Sequence, residues 1–592
     1  MVSAEFYRQR ANHFQTQTDQ LEKTIQQHSF ARLIVAIVVL ILIYFGFQEP
    51  IYFLPAALLG FLFLYLVQRQ QKKEKEKEIA ELSRRLNAWE EEAIDYDFQN
   101  FPNGKEFVDP QHSYSHDLDL FGDESLFQYL NRCATRLGEN ELANNLTRLR
   151  FKKEEIVERQ LAIRELGSQL EFRQLCWATG KQIQDSKFNL EPLLIWLRQS
   201  NLFYSKNFFM FLQWSLPIIT CSALIGMIFL PELQFFFIPL GLLQLGITSY
   251  YNKPITKLQE ELSRYRVIME NYSRLFDLLS KQVVKSKLLI SHQQIAKEAT
   301  DHVHELSKLI NAIESRANMI ARMFGNGLFM YDFHTVTKLE DWRNKYSSDL
   351  PHWLESMAEW DALTSFSTFH YNNPNYAFAE IDEQLIIDGK EIGHPLIRSK
   401  VRVTNDFSLG NPANVMLVTG ANMAGKSTFL RAIGVNCILA LNGAPVCASQ
   451  WKCSVATLRT GMRTTDSLKD HESYFYAELN RLQSIIEELR ARKPVVILLD
   501  EILKGTNSND KLAGSRELIK QFIDKNALVL IATHDILLGD METQYPNHIL
   551  NTCFEGRIEN DQLTFDYKLN RGLAQRANAT FLMKKMGIIP HE

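Results

Sequence analysis

Residues 415–428 read VMLVTGANMAGKST, and this stretch decides how the last third of the chain folds. Residues 415–419 are apolar and β-rich, which predicts a buried strand. The next eight residues, 420–427, fit the pattern G-x-x-x-x-G-K-[ST], and the sequence FLRAIGVNCILAL after Thr428 has the composition of a helix. This order of elements places backbone N–H groups and the positive end of a helix around a phosphate group. The stretch therefore predicts a phosphate-binding loop in an α/β domain.

The residue types in this loop suit a nucleoside triphosphate. Gly420 and Gly425 allow backbone N–H groups to approach the phosphates, and Lys426 is expected to neutralise the β- and γ-phosphates. The Ser427 hydroxyl is expected to ligate Mg²⁺. The predicted nucleotide-binding residues of the loop are Gly420, Ala421, Asn422, Met423, Ala424, Gly425, Lys426, Ser427 and Thr428.

Two further apolar runs end in polar residues. Residues 494–501 read PVVILLDE, a buried-strand pattern that ends in two acids. Asp500 is expected to hold Mg²⁺ through water, and Glu501 to activate the attacking water as general base. The run ALVLIA at 527–532 precedes His534, a predicted sensor of the γ-phosphate, although a single histidine after a strand is more often structural. Together the three strands predict a magnesium-dependent nucleoside triphosphatase core.

Four apolar blocks indicate that the chain is a membrane protein. They cover residues 33–47, 51–67, 208–230 and 233–250, and none contains Lys, Arg, Asp or Glu. A bilayer core about 30 Å thick needs roughly 17–25 helical residues, so the blocks predict two hairpins of transmembrane helices. The alternative for the first two blocks is a buried helix pair inside a soluble domain.

The charges beside these blocks predict an orientation. Glu49 and Glu232 are the charged residues of the short turns, whereas basic residues follow the second block at Arg69, Lys72, Lys73, Lys75 and Lys77. By the positive-inside rule the large segments lie in the cytoplasm. The expected location is the inner or cell membrane, with several spans and a cytoplasmic ATPase domain.

Composition excludes some other classes. The 592 residues carry a net charge of −4, so no global basic field indicates nucleic-acid binding. The seven cysteines form no C-x-x-C pair, which argues against a disulfide framework and a zinc ribbon. Residues 253–323 lack glycine and have no proline after Pro254, so one or two very long helices are expected there.

The motifs resemble those of the MutS family of mismatch-repair ATPases, whose nucleotide domain is of the ABC type. TGANMAGKSTFLR at 419–431 is similar to the family's TGPNMGGKST loop, and LLDEILKGTNSND at 498–510 is similar to its MDEIGRGTSTYDG segment. SYFYAE at 473–478 resembles its signature stretch. Residues 393–396 (GHPL) and 404–406 (TND) match two shorter elements, and the likeness extends upstream into residues 115–200.

The resemblance implies further roles. Ser473 would reach ATP bound by the opposite subunit, so the active unit would be a dimer, expected to be a homodimer, with ATP and Mg²⁺ at composite sites. Tyr567 would stack on the adenine. The family's second aromatic position falls near Arg402, whose guanidinium plane can also stack.

The differences from the family matter equally. In place of the family's mismatch-recognition domain, the first hundred residues hold a membrane hairpin and a stalk, and Glu5-Phe6-Tyr7-Arg8 does not supply its Phe-x-Glu motif. The second hairpin stands where relatives carry a DNA clamp. A membrane-anchored variant without mismatch recognition is therefore expected. The predicted organisation is an N-terminal cytoplasmic helix (1–30), a transmembrane hairpin (31–68), a charged helical stalk (69–114), the first half of a core and lever region (115–205), a second transmembrane hairpin (206–251), the second half of the lever (252–385) and a MutS-type ATPase domain (386–592).

The expected fold is thus an α/β phosphate-loop ATPase domain of the ABC type, with a mainly α-helical core and lever domain and four transmembrane helices. The expected function is ATP binding and hydrolysis at dimer sites, coupled to movement of the levers and the membrane region. A membrane-tethered DNA-binding protein of repair or recombination type is the alternative, in which DNA is a possible but not favoured partner. A slow ATP-dependent switch that recruits a partner is a third possibility.

Overall fold

The computed structural model describes residues 3–182, 190–204, 207–463, 474–491, 493–503, 507–523, 525–559 and 562–574. The α-helices are α1 Ala4–Gly46, α2 Phe53–Ile94, α3 Leu126–Leu130, α4 Arg136–Thr147, α5 Lys153–Gly167, α6 Leu170–Lys181, α7 Glu191–Leu197, α8 Asn207–Gly226, α9 Gln234–Tyr250, α10 Asn252–Ser263, α11 Arg266–Lys281, α12 Lys287–Glu314, α13 Met319–Phe329, α14 Tyr331–Tyr346, α15 Asp349–Asn372, α16 Lys426–Leu441, α17 Tyr474–Arg490, α18 Ser508–Ile523 and α19 Asp540–Gln544. The strands are β1 Ala377–Phe378, β2 Glu380–Asp382, β3 Ile387–Ile392, β4 Asn405–Leu409, β5 Val415–Gly420, β6 Pro445–Val446, β7 Gln450–Ser454, β8 Thr457–Gly461, β9 Val495–Asp500, β10 Ala527–Thr533, β11 Ile549–Glu559 and β12 Gln562–Arg571.

Helices α1 and α2 form a long antiparallel hairpin of 43 and 42 residues. At 1.5 Å per residue each helix is roughly 60 Å long, about twice the thickness of a bilayer core. The polar ends of both helices contact the rest of the chain: the Tyr7 hydroxyl donates to Asn372, and Asn87 exchanges hydrogen bonds with Gln174. The apolar ends expose large side chains such as Leu40 and Phe61. The hairpin therefore projects from the helical body with its apolar tip uncovered.

A second hairpin is formed by α8 and α9. The Gln244 side chain donates to Thr220, and both residues are buried between the two helices, whereas Phe211, Ile225 and Phe235 are exposed. Within the described residues, four helices are long and apolar enough to cross a membrane by length and composition: Ala4–Gly46, Pro50–Ile94, Phe208–Gly226 and Pro231–Tyr250.

Helices α3–α7 and α10–α15 build a helical body around buried aromatic side chains, among them Trp342, Trp353 and Phe366. The expectation of one or two very long helices over 253–323 is wrong, because four helices, α10–α13, occupy this stretch. Between α11 and α12 the chain reverses, and the Glu165 carboxylate accepts hydrogen bonds from the backbone N–H groups of Lys285 and Ser286. Folding back lets two amphipathic helices bury their apolar faces against each other, which a single straight helix cannot do.

The last third of the chain contains a six-stranded sheet with the order β12-β11-β5-β10-β9-β8, in which all neighbours are parallel except the pair β11 and β12. Its central strands are buried on both faces, as parallel strands require. Leu498 and Leu530 pack on the side of α16, and Ile497 and Ile531 pack on the side of α17 and α18. The carboxyl ends of β5, β9 and β10 consequently meet at one edge.

A four-stranded mixed sheet, with the order β2-β7-β3-β4, and the short antiparallel pair β1 and β6 complete the sheets of the described residues. Asn405 at the start of β4 connects this sheet to the larger one, because its side chain bonds the backbone of Tyr567 and Leu569 in β12. The expected combination of a mainly helical body with an α/β region is confirmed at this level, although the smaller sheet is mixed.

Candidate active site

The loop between β5 and α16 requires glycine at both ends. Gly420 has a φ of 149° and Gly425 a φ of 102°, values that disfavour residues with a side chain. Space is limiting as well: a Cβ on Gly420 would lie 2.6 Å from the Phe554 carbonyl oxygen, and one on Gly425 would lie 3.1 Å from the Tyr567 ring. The loop therefore runs close against β11 and β12 and leads directly into the N-terminus of α16.

Lys426, the first residue of α16, is 6% exposed and points back over the loop. Its ammonium nitrogen donates to the carbonyl oxygens of Gly420 and Ala421, both at 2.9 Å, and stands 3.5 Å from each ring nitrogen of His534. Burial lowers the pKa of Lys426, while the carboxylates of Asp500 and Glu501 act in the opposite direction. The cation is thus held between the loop and the two acids.

The two acids lie at the end of β9. Asp500 pairs with Ala532 in the sheet register, and the Glu501 backbone N–H donates to the Ala532 carbonyl at 2.8 Å. Glu501 has a φ of 59°, so the chain turns sharply after the strand. Its carboxylate forms an ion pair at 2.9 Å with Lys511 of α18. No sequence motif marks Lys511, which lies ten positions beyond the acid.

His534 follows β10 and is exposed at the same edge. Partial burial is the main cause that lowers its pKa, and the neighbouring Lys426 ammonium lowers it further. The imidazole is therefore neutral near pH 7 and has one N–H to donate. A neutral donor beside the lysine suits contact with a phosphate oxygen.

Tyr567 covers the loop from β12. Its ring lies over Gly425, its φ is 53°, and its backbone carbonyl accepts a hydrogen bond from the Asn405 side chain at 3.0 Å. The prediction that Arg402 serves as the second stacking residue is wrong. Its guanidinium donates to the Tyr376 hydroxyl at 2.6 Å and to the Cys447 sulfur at 2.8 Å, so it turns away from the loop.

These side chains line one cleft of about 590 Å³, a volume in the range of small-molecule sites. Of the predicted residues, those that line it are Asn422, Met423, Gly425, Lys426, Ser427, Thr428, Asp500, Glu501, His534 and Tyr567. Gly420, Ala421 and Ala424 do not line the cleft. The carbonyl oxygens of Gly420 and Ala421 accept hydrogen bonds from Lys426. Ser473 lies outside the described residues.

The cleft also has an apolar wall that the sequence motifs do not indicate. Ile397, Val401 and Val403 face it from the segment before β4, and Phe554 faces it from β11. Apolar side chains opposite a phosphate-type loop suit the flat face of a base. The alternation of apolar and charged residues at 401–403 could have indicated this wall. It directs the Val401 and Val403 side chains toward the cleft and the Arg402 side chain away from it.

The residues present fit a Mg²⁺ ion held jointly with phosphate. Among the described residues, no group of three or more His, Cys, Asp or Glu side chains is placed to hold a metal. Ser427 and Asp500 line the same cleft and offer one hydroxyl and one carboxylate. Mg²⁺ usually takes one or two such protein ligands and completes its octahedron with phosphate oxygens and water.

A buried carboxylate behind the acids connects the helical body to the sheet. Asp117 is 0% exposed and accepts hydrogen bonds from Thr460 and from the backbone of Met462 and Arg463, and it forms an ion pair at 2.7 Å with Arg481 of α17. The cluster, defined as Asp117 with these four donors, holds the end of β8 and helix α17 against the helical body.

The fold and the cleft define a protein with a phosphate-type glycine loop at the edge of a parallel sheet. Comparison with known proteins agrees with this class. The family described as MutS domain V matches residues 416–591. The DNA mismatch repair protein MutS of Thermotoga neapolitana is 30% identical over 238 residues, which is 39% of this chain and 29% of that protein.

Two other relatives show the same pattern. The DNA mismatch repair protein MutS of Finegoldia magna is 31% identical over 243 residues, covering 40% of this chain and 27% of that protein. The DNA mismatch repair protein MSH3 of Phaeosphaeria nodorum is 29% identical over 317 residues, covering 51% of this chain and 27% of that protein. The chain thus spans less than a third of the length of these relatives. Residues 416–591 thus resemble domain V of MutS proteins, as the motifs in this part of the chain predicted.

Proposed function

We propose that the chain is a membrane-anchored ATPase of the MutS family that couples ATP binding and hydrolysis to movement of its membrane region. The observation that carries the proposal is the convergence of the glycine loop, Lys426, the two acids and His534 on one cleft. These groups come from three neighbouring strand ends, which is where a parallel sheet concentrates its chemistry.

Each residue then has a defined task. Backbone N–H groups of the loop and the N-terminus of α16 bind the phosphates, and Lys426 exchanges its carbonyl partners for phosphate oxygens. Mg²⁺ between Ser427 and Asp500 would neutralise charge on the β- and γ-phosphates. Glu501 accepts the proton of the attacking water, while Lys511 orients its carboxylate. Neutral His534 donates to the γ-phosphate.

The adenine would lie between Tyr567 and the apolar wall that includes Val401 and Val403. Stacking on an aromatic ring and packing on aliphatic side chains suit a purine face. The rim of the cleft is open, since Met423 is 83% exposed and the Tyr567 ring is half-exposed. A second copy covering this rim would form a homodimer with composite sites, in which Ser473 reaches the neighbouring γ-phosphate.

The membrane part of the proposal rests on the two apolar hairpins. Exposed Leu, Ile and Phe side chains cover the tips of α1–α2 and the surface of α8–α9, far more than a water-soluble surface tolerates. The basic run 69–77 after the first hairpin favours a cytoplasmic ATPase region in an inner or cell membrane. Helix α2 continues from this tip into the body, where Glu90 pairs with buried Arg132 at 2.6 Å. This continuity supports transmission of movement along α2.

The test is hydrolysis of ATP by the protein purified in detergent, with and without Mg²⁺. Glu501→Gln removes the base and keeps the shape of the side chain. It should lower the rate roughly 100-fold or more while ATP still binds. Glu517→Gln on α18, whose side chain is 69% exposed, is the matched control and should hydrolyse ATP normally. Unchanged hydrolysis in the Glu501 variant would show that Glu501 is not the general base.

The second candidate function is a membrane-tethered DNA-binding protein, favoured by the names of the relatives, which are DNA mismatch repair proteins. It predicts duplex binding whose affinity falls linearly with salt on a log–log plot, and stimulation of ATPase by duplex. Neither effect is expected if the two hairpins replace the DNA-binding parts. Tight ATP binding with near-zero turnover would instead favour a switch that recruits a partner.

A further inference from the structure

Helix α13 has an apolar face that nothing in the described residues covers. Its sequence is MIARMFGNGLF, and Met319, Ile320, Met323 and Phe324 are 49–74% exposed. Positions i, i+1, i+4 and i+5 lie on one side of a helix. The predicted organisation assigns residues 319–329 to the lever, where such a face would meet water. Four large apolar side chains together on an 11-residue helix indicate contact with something other than water.

The position of α13 indicates what that contact is. Gly327 lies against α9, since a Cβ there would be 3.5 Å from Leu245, and its carbonyl oxygen is 3.5 Å from the Cβ position of Gly241. On the other side the Leu328 carbonyl is 4.0 Å from the sulfur of Cys221 in α8. These partners lie within the two apolar spans rather than at their ends. The exposed face of α13 therefore continues the apolar surface of the second hairpin.

The length and ends of α13 exclude a further span. Eleven residues make a helix of roughly 16 Å, about half a bilayer core. Asn318 caps the first turn by accepting from the N–H groups of Ile320 and Ala321, and the chain reverses at Met330, whose φ is 46°. The helix is thus a short segment that leaves the helical body and returns to it without crossing a bilayer.

A polar layer marks where the body begins beneath it. Arg316 and Asp332, one on each side of α13, form an ion pair at 2.8 Å with both side chains 2% exposed, and Arg316 also donates to Asn252 and Gln259. Such a pair belongs to protein interior and not to a lipid-facing surface. The helix therefore leaves the body at this layer and returns to it.

A groove of about 550 Å³ lies beside the helix, between α8, α12, α13 and α14. Trp214, Ile218, Leu309 and Phe329 make its walls apolar, whereas exposed Lys338 lies at one side. An apolar groove with a cation beside it fits an acyl chain and its phosphate headgroup.

Resting on the membrane placement proposed above, we propose that α13 is embedded in the leaflet on the ATPase side and contacts phospholipid acyl chains through Met319, Ile320, Met323 and Phe324. Helices of this kind lie about 5–10 Å into the boundary between headgroups and acyl chains. The lever is then attached to the bilayer through α13 as well as through the spanning helices. Movement of α12 and α14 would be transmitted directly to one leaflet.

The test places an environment-sensitive fluorophore on single introduced cysteines of the full-length protein. The background is Cys221→Ala, because Cys221 is the one half-exposed cysteine and the other six are buried. Phe324→Cys probes α13. Leu243→Cys, on the exposed side of α9, is the positive control, and Val283→Cys, exposed between α11 and α12, is the negative control. The protein is reconstituted in vesicles of phosphatidylcholine and phosphatidylglycerol, with or without lipids that carry a spin label near the headgroup end of the chain.

Spin-labelled lipid should quench the probes at 324 and 243 by roughly half or more and leave the probe at 283 unchanged. Quenching at 243 without quenching at 324 would overturn the α13 inference and keep the membrane placement. Quenching at neither position would overturn both. Disulfide crosslinking between two 324 positions without quenching would assign the face to a second copy of the chain and also overturn the inference.

Discussion

Replacing Asp117 by Asn should destabilise the ATPase region far more than its conservative nature suggests. The carboxylate is fully buried, and one of its oxygens accepts from Thr460, Met462 and Arg481 while the other accepts from the Arg463 N–H. An Asn side chain has one acceptor, so in either orientation its NH₂ group faces at least one donor. Arg481 also loses its anion. Breaking a buried pair costs about 3–5 kcal/mol, and the partial exposure of Arg481 places the cost near the lower end.

The readout is the midpoint of thermal unfolding in detergent, followed by tryptophan fluorescence. For a region of 150–250 residues, about 3 kcal/mol corresponds to a shift of roughly 6–12 °C. The control is Asp119→Asn. Its side chain is 43% exposed in pairs with Arg463 and Arg431, and exposed pairs contribute at most about 1 kcal/mol. Asn also tolerates the φ of 51° at this position. Equal shifts in the two variants would refute the assignment of Asp117 as the connection between body and sheet.

Three further predictions follow from the same contacts. Gly425→Ala should weaken binding of a fluorescent ATP analogue by roughly ten-fold or more, because the φ of 102° disfavours a side chain; unchanged binding would show that the loop adapts. Asp332→Leu should destabilise the protein by about 3–5 kcal/mol, since it leaves the Arg316 charge buried, whereas adding Arg316→Met should recover most of the loss in thermal unfolding; a double variant as unstable as the single one would argue against the pair. His292 has a pKa lowered from 6.5 to about 4, mainly by burial. The unfolded chain therefore binds more protons between these values, and stability should fall as the pH drops from 6.5 to 4. His292→Gln should make this fall shallower in unfolding midpoints measured across that range, and an unchanged slope would contradict the prediction.

The sequence predicts the centre of the candidate site well, for a physical reason. Lys426, Asp500 and His534 each follow a short apolar run, and parallel strands bring their carboxyl ends to one edge whatever the rest of the chain does. Local pattern is therefore sufficient to place these residues in one cleft. Local composition likewise marks the apolar parts of the two hairpins, which are exposed helical segments in the structure.

What the sequence does not predict depends on contacts between distant residues. Asp117 lies more than 340 positions before its partners in β8 and α17, and no periodicity connects such residues. The reversal between α11 and α12 has no Gly or Pro signal, because it is imposed by packing and by hydrogen bonds to Glu165. The role of Arg402 is not predictable from the motif, because a motif gives the position of a residue but not the direction of its side chain. Helix α13 was too short to be recognised as a separate apolar element.

The continuity of α2 has a mechanical consequence. A rod roughly 60 Å long that tilts by about 5° at one end displaces the other end by about 5 Å. Helix α1 runs alongside α2 and stiffens it against bending. The pair therefore behaves as a rigid lever and not as a flexible linker. A shift of the order of one ångström around Glu90 and Arg132 would thus produce a lateral displacement of several ångströms at the apolar tip of the hairpin. This requires no hinge within the described residues of α1 and α2.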